Sequence, residues 1–482
     1  MAKNQKLTNI KWRQIIASYV AVFILLSALT ILPNLINPEV VTGIRIAVQL
    51  AAIVMLLSAL ALYMYFADAA SMESTRKTWA MFTTMIVAYV LIQLAQFWSQ
   101  TWGYAIQLVP FALCALILSL LVSGKCGFFA NFIIIMLCFM QDINWSTNAT
   151  LNSENFFYLL FDGVSEAVFV SFILGKHYRR ARYLFVGLAL GVVSVITATI
   201  SYLMFQDAWS WSEFGIRAAC AFASGLIGVM FMFLLVPLFE KMFNVSTVFR
   251  FSEIATSDST LMRKLFEKAP GTYNHCLTVA TYVEACAVAI GQSAVAARAA
   301  AYYHDIGKLK NPSYFAENQF SGVNPHDTMT PEASVNMIKL HTVNGLAIAK
   351  EYGLPKEVQT AIAEHHGTMP IKYFYLKAQK YTDGILPYDG YCYDGPKPSN
   401  KISAILMICD ACEAALRASG TKGNVEKIVD DIVAERLAFD QFSNCDISMK
   451  EIDIIKSTII TTFTGIRHKR VSYPDVRLKG DK

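Results

Sequence analysis

Eight apolar stretches, all lying before Glu240, set the first limit on how this chain folds: Ile15–Pro33, Ile46–Phe66, Trp79–Trp98, Tyr104–Val122, Phe128–Met140, Phe156–Leu174, Tyr183–Met204 and Ala218–Leu238. A helix that crosses a bilayer needs about 20 mostly apolar residues, and all but the fifth stretch reach that length or come close to it. The fifth is short, so its ends are left open. The first is too long for a signal peptide and has no small-residue cleavage site. Charged residues make up 16% of the chain, against about 25% in soluble proteins, and they concentrate after Phe251. The pattern implies two solvents, a bilayer for residues 1–240 and water for the rest. A net charge of +5 is too small and too scattered for a nucleic-acid polymer to be the main partner.

Lys and Arg in short loops set the orientation of such a chain. Lys3, Lys6, Lys11 and Arg13 precede the first stretch. Arg76 and Lys77 follow the second, Lys125 the fourth, and Lys176, Arg179, Arg180 and Arg182 the sixth, whereas the alternate loops are nearly free of them. About eight spans then place both termini in the cytoplasm of a multi-pass protein of the cell membrane. Asp162 and Glu166, four residues apart on one face of the sixth span, carry the ionisable groups that most often mark function inside a membrane. They read as a helix–helix contact near the outer interface, with a ligand pocket or proton relay as the sharper alternative. The outer loops are too short for a folded sensor.

Residues 241–258 read as a linker that couples the bilayer to a domain at 259–470, followed by a basic tail at 471–482; the coupling element itself runs from Phe239 to Asp258. The domain is all-helical by its apolar spacing. Helices are expected at Leu261–Lys268, Thr272–Ile290, Val295–Tyr303, Ser334–Tyr352, Pro355–Glu364, Ile402–Ala418 and Val425–Phe439, with a break at Pro270-Gly271. The fold class is therefore all-α throughout. The ten cysteines have no regular spacing and suit reduced thiols. Cys409 and Cys412 form a C-x-x-C with no second pair nearby, which reads as two buried thiols rather than a zinc or redox site.

Six of the eight histidines fall between His275 and His366. In chain order the cluster is His275, His304-Asp305, His341 and His365-His366, with Asp410 beyond it. Imidazole and carboxylate together suit iron, manganese, zinc or cobalt, and one carboxylate can bridge two metals about 3.5–4 Å apart. Asp305 is the natural bridge. Lys308 lies three residues on, where a helix would bring it to Asp305's face to neutralise a phosphate oxygen. Asp410, Glu413 and Arg417 form a polar stripe on an otherwise apolar helix, and a buried carboxylate there needs a metal or a cation.

His304-Asp305-Ile306-Gly307-Lys308 resembles the signature of the HD phosphohydrolase superfamily. Ala269-Pro270-Gly271-Thr272-Tyr273-Asn274-His275, Glu317-Asn318-Gln319, Asn324-Pro325-His326-Asp327, His365-His366-Gly367-Thr368 and Gly395-Pro396-Lys397-Pro398 resemble one branch of it, the membrane seven-helix HD proteins that are PgpH-type cyclic di-AMP phosphodiesterases. The resemblance covers about Ser257 to Thr462, and the multi-span half fits in layout. It implies two divalent transition-metal ions, usually iron or manganese, and hydrolysis of cyclic di-AMP to 5′-pApA. It places the ligands at His275, His304, Asp305, His341, His365, His366 and Asp410. Asp305 and Lys308 are the expected catalytic groups, and Lys308, Lys397, Glu413 and Arg417 the expected substrate contacts. The expected partners are a cyclic dinucleotide, the lipid bilayer and a second copy of the chain as a homodimer.

Two departures stand out. The family's large extracellular domain has no counterpart, since only Asn34–Gly43 separates the first two spans. Tyr393-Asp394-Gly395-Pro396-Lys397-Pro398 has Asp394 where the family has proline. A cyclic di-GMP or mixed cyclic dinucleotide substrate is the neighbouring alternative, although the Gly-Tyr-Pro triplet of the cyclic di-GMP branch is missing after His365-His366. Alarmone hydrolases carry acidic residues where Gly307-Lys308 stands. A membrane receptor or transporter with a nucleotide-binding HD domain is the alternative from another class.

Overall fold

The computed structural model describes residues 12–36, 43–72, 74–99, 101–145, 149–173, 180–319, 322–382, 384–419 and 424–466. Lys3, Lys6, Lys11, Lys176, Arg179 and the basic tail lie outside them. The described residues form helices and turns without a strand, apart from one isolated bridge between Pro370 and Cys392. The chain divides into two compact units, Met1–Phe249 and Arg250–Lys482.

The first unit contains α1 (Trp12–Ile36), α2 (Gly43–Ala67), α3 (Thr75–Ser99), α4 (Leu113–Leu121), α5 (Gly124–Trp145), α6 (Ala149–Ile173), α7 (Arg180–Phe205) and α8 (Trp211–Phe243). Six of these, all but α4 and α5, are long and apolar enough to cross a membrane. The fourth expected span is not one helix. A 3₁₀ turn at Ala105–Leu108 ends in extended backbone at Val109, because Pro110 has no N–H to donate and disfavours helical geometry in the residue before it. The chain re-enters helix only at Leu113, so α4 is about 14 Å long, too short to cross a bilayer alone. The fifth span shows the reverse. Its 22 residues run past the apolar core at both ends, since polar residues at helix ends break no hydrogen bond.

Small residues let these helices touch. A Cβ on Gly225 of α8 would stand 2.4 Å from both the Gly187 carbonyl oxygen and the Gly191 nitrogen of α7, so only glycine permits this approach. α8 continues through Pro237 to Phe243 and stops where Asn244 adopts a left-handed conformation, φ 48°. The Glu240 carboxylate then accepts from the Thr247 backbone N–H at 2.8 Å and from its hydroxyl, closing the turn. The segment expected as a linker thus holds the end of α8, this turn and α9 (Val248–Ile254).

The second unit continues with α10 (Thr260–Lys268), α11 (Pro270–Ala289), α12 (Ala294–Tyr303), α13 (Pro331–Glu351), α14 (Lys356–Glu364), α15 (Lys372–Gln379), α16 (Lys401–Ser419), α17 (Val425–Ala438) and α18 (Met449–Ile466). Ser259, Ser293 and Thr330 cap α10, α12 and α13 by accepting from the backbone three residues on. Pro270, expected as a break, is the first residue of α11, where its missing N–H costs nothing. α15 and α18 were not expected from the sequence. Ile452, Ile455 and Ile459 of α18 pack into the core with Val283, Cys286 and Ile408. All ten cysteines are free; the Cys409 and Cys286 sulfurs meet at 3.9 Å in that core.

Candidate metal centre

The centre draws its side chains from five helices, α11, α12, α13, α14 and α16, of which α12 and α14 end at it. α12 stops at Tyr303, leaving His304 at its C-cap, and the chain tightens into a 3₁₀ helix at Ile306–Lys310 rather than the α-helix expected for Lys308. Positions three apart eclipse in that geometry, so Lys308 still reaches Asp305, Nζ to Oδ2 at 2.7 Å. Gly307 makes the turn possible. A Cβ there would lie 1.8 Å from the His341 carbonyl oxygen and 2.5 Å from the Gly345 nitrogen, so the 3₁₀ helix can sit directly on α13.

Four of the imidazoles are oriented by their other nitrogen. His304, His341 and His365 donate through Nδ1 to the carbonyls of Ala301, Ile338 and Ile362, three residues back, at 2.8, 2.6 and 2.9 Å. These bonds fix the rings and leave Nε2 facing inward. His275 of α11 is held at Nδ1 by the Glu413 carboxylate, 2.6 Å away, and reaches Asp410 through Nε2 at 2.9 Å. Glu413 is itself buried and paired with Arg417 at 3.6 Å. It therefore supports an imidazole instead of facing open space.

Of three candidate ligand groups among the described residues, two consist of nitrogen and oxygen donors, and the third joins Cys276 to His304 and Asp305. Asp305, His341, His365 and His366 offer atoms within 4.8 Å of one another, as do His275, His304 and Asp410. Asp305 stands between them. Its Oδ1 faces His341 at 3.4 Å and His365 at 3.7 Å, and its Oδ2 faces His304 at 3.3 Å and His275 at 3.7 Å. His304 Nε2 and Asp305 Oδ1 are buried without a hydrogen bond. Buried polar atoms are rarely orphaned, and a cation between the groups would satisfy both. The nitrogen and oxygen donors fit a divalent transition metal.

The electrostatics agree. Burial pushes His341 down to about 3, and burial with the neighbouring His365 keeps His366 well below its usual range, so both are neutral donors. Burial opposes ionisation of Asp305, but Lys308 and His304 outweigh it and hold the carboxyl well below the usual carboxylate range. On the other side, burial works against the proton on His275, yet the bonds from Asp410 and Glu413 hold it at about 10. A metal bound there would displace that proton.

Beside the centre opens a cleft of about 650 Å³, lined by Pro270, Gly271, Asn274, Ala316, Glu317 and Arg417. Glu317 binds Lys308 at 2.8 Å, so the lysine is shared between the cleft wall and Asp305. Lys397 lies apart from this cluster, paired with Asp440 at 3.0 Å. Two residues had no role from sequence. Glu317 steadies Lys308, and Tyr393 stacks on His366 with ring centres 4.2 Å apart. Both lie in motifs legible in the chain, but their contacts depend on how the turns after Asp305 and His366 fold. Asp394, the departure from the family pattern, pairs with Lys339 at 2.9 Å and is largely exposed.

Residues 44–247 match the family model described as 7TM receptor with intracellular HD hydrolase, and residues 272–415 match the HD domain. The chain is 35% identical over 374 residues to the cyclic-di-AMP phosphodiesterase PgpH of Bacillus subtilis (strain 168), covering 77% of this chain and 52% of the relative. It is 36% identical over 370 residues to PgpH of Listeria monocytogenes serotype 1/2a (strain 10403S), covering 76% and 50%. The chain thus spans about half the length of the curated relatives it matches. A crystal structure of the L. monocytogenes PgpH HD domain in complex with cyclic-di-AMP is 43% identical with a TM-score of 0.42, over 44% of this chain and 99% of that one. The membrane half thus resembles seven-transmembrane receptors with an intracellular HD hydrolase, the helical domain resembles HD domains, and the curated relatives run along three quarters of this chain.

Proposed function

We propose that this protein is a metal-dependent phosphodiesterase that hydrolyses cyclic di-AMP to 5′-pApA. The observation that carries this reading is the carboxylate of Asp305, which presents one oxygen to each of two histidine groups at the edge of a cleft. The curated relatives are named as cyclic-di-AMP phosphodiesterases, which supports adenine over guanine.

Asp305, His341, His365 and His366 would hold one metal, and Asp305, His275, His304 and Asp410 the second, with iron or manganese suited to these donors. Bound there, the pair would supply an activated water and neutralise charge on the phosphoryl oxygens. The chain's own residues do the rest. Lys308, held between Asp305 and Glu317, sets a fixed positive charge at the cleft edge. Arg417 on the cleft wall adds a second cation for the dinucleotide's other phosphate. Hydrolysis adds hydroxyl to phosphorus and a proton to the departing 3′ oxygen, leaving the 5′ phosphate in place. The membrane half would bias this domain through residues 239–258, within a dimer and with both termini cytoplasmic. Arg76, Lys77 and Lys125 favour that orientation.

The test uses the full chain in nanodiscs loaded with manganese or ferrous iron, given cyclic di-AMP, cyclic di-GMP and the mixed dinucleotide in parallel. Preferential appearance of pApA is expected. Preference for another dinucleotide would move the substrate assignment, and no turnover of any with metal bound would replace the enzyme reading with a binding domain.

A further inference from the structure

The membrane half holds a second carboxylate cluster that the hydrolytic reading does not use. Asp162 and Glu166 lie one turn apart on α6, both 0% exposed. Asp162 is the fourteenth of the 25 residues of α6, so the pair sits near mid-helix. The expected helix–helix contacts are present. Thr197 and Ser194 of α7 donate to Asp162 Oδ1 at 2.5 Å and to Glu166 Oε1 at 2.8 Å. The backbone N–H of Ala112, at the start of the broken helix α4, donates to Glu166 Oε2 at 2.7 Å. A helix N-terminus favours an anion, so Glu166 is matched on both oxygens.

Asp162 is not. Its Oδ2 is buried without a partner in good hydrogen-bonding geometry, and so is the hydroxyl of Tyr158; that residue lies one turn earlier on α6, is 1% exposed, and stands close enough to the carboxylate to interact with it, but out of line for a well-formed bond. No Lys or Arg pairs with either acid among the described residues. Arg217, the buried arginine of this half, is engaged by Glu154 and Glu213. Among the described side chains, the other titratable groups on elements packed against α6 are Cys114 of α4, Lys125, Cys126 and Cys138 of α5, and Arg182, Tyr183 and Tyr202 of α7, and none forms a hydrogen bond or ion pair with either carboxylate. Like charges at this spacing repel, and an uncompensated carboxylate is costly in an apolar layer.

We propose that Asp162, Glu166, Tyr158 and Thr197 form an intramembrane site for one exchangeable small monovalent cation, received at Asp162 Oδ2. All the donors are oxygens, so a proton or an alkali ion fits and a soft metal does not. The site stands independently of the hydrolytic reading, because no residue is shared with it.

The test is thermal unfolding of the full chain in uncharged phosphatidylcholine nanodiscs, with manganese held constant. One arm replaces choline chloride with sodium, lithium or potassium chloride at fixed pH and ionic strength; the other lowers pH in choline alone. The wild type is expected to gain several degrees in at least one arm. A gain from an alkali ion at fixed pH identifies a metal cation, and a gain from acid alone identifies a proton. Asp162→Asn, which removes the charge and keeps the shape, should melt at the raised temperature throughout and lose the response. Tyr158→Phe should fold normally and shift the half-saturating concentration about fivefold, the scale of one neutral hydrogen-bonding group. A flat wild type in both arms overturns the proposal. So does an Asp162→Asn chain that responds like wild type, or a Tyr158→Phe chain with an unchanged midpoint.

Discussion

The two halves of this molecule bury carboxylates in opposite ways. In the membrane half, Asp162 and Glu166 meet hydroxyls and one backbone N–H. In the helical domain, Asp305 and Asp410 meet imidazoles and Lys308. The difference is chemical before it is structural. Oxygen-only surroundings suit a proton or an alkali ion, whereas mixed nitrogen and oxygen donors suit transition metals. One fold class therefore carries two kinds of charge compensation, and the donor atoms distinguish them.

The contrast is most exposed to attack at Asp305. Asp305→Ala should lower turnover by about 10³-fold with helicity retained, because both ligand groups lose their shared member; activity within tenfold of wild type, measured on cyclic di-AMP, would break it. Gly307→Ala forces a Cβ into the His341 carbonyl and should cost about 3 kcal/mol of domain stability, read in denaturant melts. A neutral result there would mean that α13 can yield. Glu413→Gln sharpens the comparison, since it loosens His275 without removing a ligand; metal affinity should fall about 10- to 100-fold in competition with a chelator. The smallest effect is expected from Lys397→Ala. Its partner Asp440 is 72% exposed, so the melting temperature should hardly move. A rise in KM with unchanged kcat would instead give Lys397 a hold on substrate.

Much of this architecture was legible because the signals are local. Hydropathy located the membrane helices, and seven of the domain's helices were anticipated within a few residues of their ends. The broken fourth span was misread because Pro110 is surrounded by apolar residues that look continuous to a sliding window. Lys372–Gln379 and Met449–Ile466 were missed, the second despite three core isoleucines at helical spacing. At the centre, residue types pointed to donors that the fold brings together, while Glu413 was read as a substrate contact. Only the packing of α11 against α16 shows its carboxylate spent on His275. Asp162 and Glu166 were visible as a pair, while the vacant Oδ2 depends on α7 supplying hydroxyls to the other oxygens.

The three histidines that donate to carbonyls three residues behind them have one more consequence. Their rings are immobilised by their own helices, so little rotational entropy remains for a metal to remove on arrival. A receptor stiffened in advance favours whichever ion matches its fixed donor spacing and is most available, and exchange between similar ions needs no refolding. Competition among divalent ions should then turn on supply and on how well each fits that fixed spacing, more than on any adjustment by the protein.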